Sequence, residues 1–207
     1  FFNPIRYERA AREVQLGIEL VKAVQSEAPQ FICEYQPQVE MVSGRVVGLE
    51  ALIRWQHPVH GVLTPDRCIG VAELSGLSER ITRWALNEVC SQINRWREVR
   101  PDFDVPVSIN VAGREMGSTA LPALVRAALS RHAIAPQLIV LEITERTLVR
   151  ESEINNDVLA ELASLGVGLV LDDFGTGYSM LGYLKRMPFT ALKIDQSFIE
   201  GIPGDAD

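Results

Sequence analysis

The stretch Gly48–Trp55, GLEALIRW, follows the pattern of a buried strand in all but one position, and the exception is a glutamate in the middle, Glu50. A lone carboxylate in an apolar run opposes folding through desolvation unless something pairs with it. The fold therefore turns on what Glu50 faces. Outward from it, strand patterns alternate with helical ones. FICEYQP (31–37) reads as a strand ended by Pro37, and RVVGLEALIRW (45–55) as the next, after a turn at Ser43-Gly44. VPVSINV (105–111), LIVLEIT (138–144), VGLVLDDFG (167–175) and TALKIDQSFI (190–199) are four further strand candidates. Between and before them lie helical patterns. Glu8–Gln25 carries a stripe of Ala11, Val14, Ile18 and Val21, and residues 77–96 carry one of Ile81, Ala85, Val89, Ile93 and Trp96. Residues 121–131, 153–166 (capped by Gly166) and SMLGYLKRM (179–187) are also helical in pattern. This alternation predicts an α/β fold of βα units around a largely parallel sheet.

Composition bounds the function. The net charge of −7 argues against binding DNA, RNA or another polyanion through a basic surface, and the 47% hydrophobic content is that of an ordinary globular domain. No apolar run approaches the ~20 residues of a membrane span. The opening FFNPIRYERAAREV lacks a signal-peptide core and begins with Phe, so an excerpt from a longer chain is expected. Cys33, Cys68 and Cys90 are odd in number and far apart, which predicts reduced thiols in a cytoplasmic domain.

Each strand candidate after the first ends in, or is interrupted late by, an awkward polar residue: Glu50, Asn110, Glu142, the pair Asp172-Asp173, and Lys193. Any one of these alone reads as a cap, a turn former or a solvated end. In a parallel β/α barrel, however, strand C-termini share one face, so all six residues converge on one pocket. Crowded carboxylates repel unless cations intervene, and hard oxygen ligands suit Mg²⁺, Mn²⁺ or Ca²⁺. Adjacent aspartates reach one site only where a strand gives way to loop, a break that Gly175 and Gly177 allow. His57 and His60 have tolerable metal spacing but sit in a loop with no Cys or third His beside them. A serine-hydrolase elbow is absent from the sequence.

In this order, YQP (35–37), EALIRW (50–55), AELSGL (72–77), SINV (108–111), LEITE (141–145), DDFGTGYS (172–179) and LKIDQSFI (192–199) resemble the EAL domain family. The family takes its name from the Glu-Ala-Leu that stands here as Glu50-Ala51-Leu52. The resemblance implies a TIM-like β/α barrel with its first strand antiparallel, over residues 28–207, preceded by a lead-in or linker helix over 1–27. It implies hydrolysis of cyclic di-GMP to linear pGpG with two divalent cations, Mg²⁺ or Mn²⁺, and inhibition by Ca²⁺. Glu50, Asn110, Glu142 and Asp172 match ligands of one metal, and Asp172 with Asp173 those of the second. Lys193 matches the lysine that contacts the nucleophilic water, so catalysis falls to Lys193, Glu50 and Asp173. Glu145 matches the anchor of the loop after the aspartates, and Gln36, Leu52 and Arg54 match contacts to the cyclic dinucleotide.

The resemblance also implies a homodimer, through helices near the paired-aspartate loop such as 179–187, and an upstream sensory or GGDEF-type domain. The parent chain can be membrane-anchored. Two departures remove no ligand: Ser179-Met180-Leu181 replaces Ser-Ser-Leu, and Cys68 replaces an aromatic. The family's last two strands, with a further metal-site glutamate and a glutamine, have no matching position. The alternatives are a non-catalytic cyclic di-GMP receptor and a purely structural interaction module, which leaves the acidic residues without a purpose.

Overall fold

A helix, α1 (Pro4–Gln25), leads into the antiparallel pair β1 (Phe31–Val39) and β2 (Val46–His57). Gly44, at φ +68° where other residues are strained, turns the chain between them. A short β3 (Gly61–Leu63) folds back on the end of β2. Then follow α2 (Ser78–Val99), β4 (Val107–Asn110), α3 (Ala120–His132), β5 (Ile139–Thr144), α4 (Ile154–Ser164), β6 (Gly168–Phe174) and β7 (Ala191–Ile194). The computed structural model describes residues 4–25, 30–64, 77–145, 154–175, 184 and 186–200. The sheet runs β1-β2-β4-β5-β6-β7 with β3 beside β2, and every pair from β2–β4 to β6–β7 is parallel.

The period-two alternation of the strands sorts their side chains into two faces. Val107, Ile109, Ile139, Leu141, Ile143, Leu169 and Leu171 are fully buried in one cluster with Ala85, Val89 and Ile93 of α2, Val125 of α3 and Leu159 of α4. Each such Val, Leu or Ile side chain contributes about 1.5–3 kcal/mol on burial. The alternate positions Ser108, Asn110, Glu142 and Asp172 consequently face the other way, onto the opposite side of the sheet. Among the described residues, β1 and β7 each pair on one side only, and Leu192 and Ile194 of β7 are exposed.

Several expectations change. The buried side of α1 is Leu20 and Ala23, packed on Phe31, Trp55, Leu63 and Leu77, whereas Val14 and Ile18 of the predicted stripe are 65% and 48% exposed. Val21 of the stripe does pack against this cluster, so the spacing selects a face that only partly overlaps the buried one. The last strand stops at Ile194 because Asp195 accepts a hydrogen bond from the Ser197 N–H and closes a 3₁₀ turn, Gln196–Phe198. The three-residue β3 is too short to carry a period. Cys33 and Cys90 are free thiols whose pKa burial raises to about 12, as suits unreactive sulfurs. Cys68, the Ser179-Met180-Leu181 departure, and most of AELSGL (72–77) and of the 179–187 helix lie outside the described residues. Among the described residues, no helix is long and apolar enough to cross a membrane.

Candidate active site

Register places the polar strand ends side by side. Glu50 of β2 is level with Ser108 of β4, Asn110 with Glu142 of β5, and Thr144 with Asp172 of β6. Their side chains meet through Lys193 of β7. Its Nζ lies 2.7 Å from Glu50 Oε2, 2.7 Å from Glu142 Oε2 and 3.9 Å from Asp172 Oδ1. The Asn110 amide donates to the remaining Glu50 oxygen, Oε1, at 3.0 Å. Glu50 thus faces an ammonium and an amide within a ring of carboxylates.

Glu142 is only 1% exposed, and burial raises its carboxyl above the usual carboxylate range, with Lys193 opposing the shift. For Lys193, burial pushes the pKa down, but the hydrogen bonds to Glu142 and Glu50 outweigh it and hold the ammonium charged. The Ser108 hydroxyl also lies close enough to oppose the Glu142 shift, but the other Glu142 oxygen, Oε1, is buried with no partner at hydrogen-bond geometry. An orphaned carboxylate oxygen is costly unless a cation completes it. Three carboxylates (Glu50, Glu142, Asp172) against one lysine also leave a net negative charge. The donor set, carboxylate and amide oxygens, is the one that hard divalent cations take.

Asp173 stands apart from this ring and is exposed. Its φ of +54° puts it in the left-handed region, and its N–H donates to Asp172 Oδ1 at 2.9 Å. Aspartate tolerates that conformation better than most residues. The β6–β7 pairing is irregular here, between Leu171 and Phe174. Two residues on, the Gly175 N–H donates to Glu145 Oε2 at 3.0 Å, and Glu145 is 1% exposed at the end of β5. A buried carboxylate therefore holds the backbone just past the aspartates.

Gln36, Leu52 and Arg54 share a sheet face with Glu50, since Gln36 is in register with Glu50 and the β2 residues alternate. Gln36 is exposed and the other two are half-buried. Arg54 Nε donates to Glu34 Oε2 at 2.8 Å, and Nη1 to the Ile53 carbonyl at 3.0 Å. Glu34 was not singled out in the sequence. The hairpin register, which places Glu34 opposite Leu52 beside Arg54, was the signal available.

A second group also gathers. Ligand atoms of Glu19, His57 and His60 lie within 4.8 Å of one another, with Glu19 of α1 supplying the third group that the sequence did not bring to the histidines. The hydrogen bonds decide against a metal there. His57 Nδ1 accepts from the Val59 N–H at 3.1 Å and the His60 N–H at 3.2 Å, so its proton sits on Nε2 and points at Glu19 Oε2, 2.7 Å away. Neither ring nitrogen keeps a lone pair for a metal. The group ties α1 to the end of β2.

A family model described as the EAL domain matches residues 19–207. The chain belongs to the EAL domain family. The bifunctional diguanylate cyclase/cyclic di-GMP phosphodiesterase MucR of Pseudomonas aeruginosa is 39% identical over 207 residues, 100% of this chain and 30% of that protein. The cyclic di-GMP phosphodiesterase NbdA of the same organism is 39% identical over 203 residues, 98% of this chain and 26% of that one. The chain thus spans under a third of these relatives. A solved structure of the MucR phosphodiesterase in complex with c-di-GMP superposes with a TM-score of 0.84 at 39% identity, covering 93% of this chain and 77% of that one. The TIM-like barrel of EAL domains is accordingly the fold of this chain, including its antiparallel first strand.

Proposed function

We propose that this EAL domain hydrolyses one phosphodiester bond of cyclic di-GMP, releasing linear pGpG. The observation that carries the reading is the buried Glu142 carboxylate, one oxygen on Lys193 and the other without a partner, inside a ring of strand-end oxygens. Glu50, Asn110, Glu142 and Asp172 would hold one divalent cation, Mg²⁺ or Mn²⁺, and Asp172 with Asp173 a second. When bound, such cations supply Lewis acidity and lower the pKa of water.

The chain's own residues supply orientation and charge. Lys193, kept charged by two carboxylates, directs the attacking water and offsets negative charge at phosphorus. The water oxygen bonds to phosphorus, the P–O3′ bond breaks, and the 3′-oxygen leaves with a proton, so the product keeps a 5′-phosphate. Arg54 suits a phosphate oxygen of the substrate, exchanging Glu34 for it. Gln36 and Leu52, on the same face, contact the rest of the dinucleotide. Glu145 anchors the aspartate loop through Gly175. Residues 28–207 form the catalytic unit in this reading, and 1–27 the helix leading from an upstream sensory or GGDEF-type domain, in a cytoplasmic homodimer.

The test is incubation of the protein with cyclic di-GMP and Mg²⁺, Mn²⁺ or Ca²⁺, with pGpG measured by anion-exchange chromatography. Turnover is expected with Mg²⁺ or Mn²⁺. Ca²⁺ is expected to inhibit, because its looser coordination at about 2.3–2.6 Å misplaces the water. Tight binding without pGpG under any ion points instead to a receptor.

A further inference from the structure

The end of β6 is held from a side that the sequence does not suggest. The β6–β7 ladder is irregular between Leu171 and Phe174, so the two aspartates sit where the pairing slips. It resumes with Phe174 opposite Ile194, and the Asp195 N–H donates to the Phe174 carbonyl at 3.3 Å. Asp195 then caps the turn that delivers Phe198: its side chain accepts from the Ser197 N–H at 2.9 Å, and its carbonyl accepts from the Phe198 N–H at 3.1 Å. The Phe198 ring comes to rest on Gly175. A Cβ built on Gly175 would lie 2.5 Å from the ring's Cε2 and 2.6 Å from Cζ, inside any real contact. Gly175 also has φ +104°, and its N–H is taken by Glu145. Ring and carboxylate together fix the residue two places beyond Asp173.

We propose that Phe198 is a positioning residue for Asp173, its ring clamping Gly175 so that the second aspartate keeps its place beside Asp172. The inference rests on the reading of Asp173 as part of the hydrolytic centre. Phe198 as a whole is 57% exposed, so little core stability depends on it. An ångström of displacement at a reacting centre costs far more than that.

Phe198→Ala is expected to lower kcat by about tenfold to a hundredfold with KM nearly unchanged. It should also speed hydrogen exchange of the Gly175 amide, read by NMR, with little change in melting temperature. Phe198→Tyr, which keeps the ring, should restore both readouts. Glu145→Ala, which removes the other restraint, should move both in the same direction as Phe198→Ala. A Phe198→Ala protein that keeps kcat within about twofold, or that loses kcat with the Gly175 amide still protected, overturns the clamp. If the unaltered protein hydrolyses nothing while Phe198→Ala still exposes the Gly175 amide, the clamp stands and the phosphodiesterase reading falls.

Discussion

Glu50→Ala is expected to lower hydrolysis of cyclic di-GMP by about three orders of magnitude, roughly 4 kcal/mol of transition-state stabilisation. Both Glu50 oxygens are engaged, Oε1 by Asn110 and Oε2 by Lys193, so one truncation removes a candidate ligand and frees the two groups it orients. The fold should survive. Glu50 faces the barrel interior, while its neighbours Ala51 and Trp55 on the opposite face are 2% and 1% exposed and keep β2 packed. Mn²⁺ titration calorimetry should show the loss of the tighter binding event with a near-normal melting curve. Full activity at saturating Mn²⁺ would reduce Glu50 to a contributor to metal affinity alone.

The second large effect concerns stability. Lys193→Met keeps most of the side chain's volume but removes the cation that compensates Glu142 and Glu50. Breaking a buried ion pair by deleting one partner typically costs about 3–5 kcal/mol. Lys193 is 31% exposed, so solvent reduces this to about 2 kcal/mol here. Urea denaturation in chelator should show the loss. Mn²⁺ should then raise the midpoint of Lys193→Met more than that of the unaltered protein, because a divalent ion replaces the missing positive charge. An unchanged midpoint in chelator would mean that Glu142 does not depend on Lys193 for its charge.

Strand parity explains how much of this was legible in advance. Glu50, Asn110, Glu142 and Lys193 stand between apolar neighbours and Asp172 follows the buried Leu171, so period-two alternation alone puts them on the face opposite the helices. The parallel alternation then brings that face to one site. What the sequence withheld depends on pairing rather than period. Glu34 acquires meaning only from the β1–β2 register that sets it beside Arg54, and Glu19 only from the docking of α1 against His57. The apolar stripe Val14 and Ile18 was as regular as the face that is buried, and nothing local distinguishes the two. The ring of Phe198 against Gly175 joins residues 23 positions apart through a turn that the strand pattern of 190–199 concealed.

The most direct test is to soak crystals of the protein in Mn²⁺ and compute anomalous difference maps. The expected result is density within about 2.5 Å of carboxylate oxygens of Glu50, Glu142 and Asp172, including the orphaned Glu142 Oε1. Anomalous density at Glu19, His57 and His60 with none at the strand ends would contradict it.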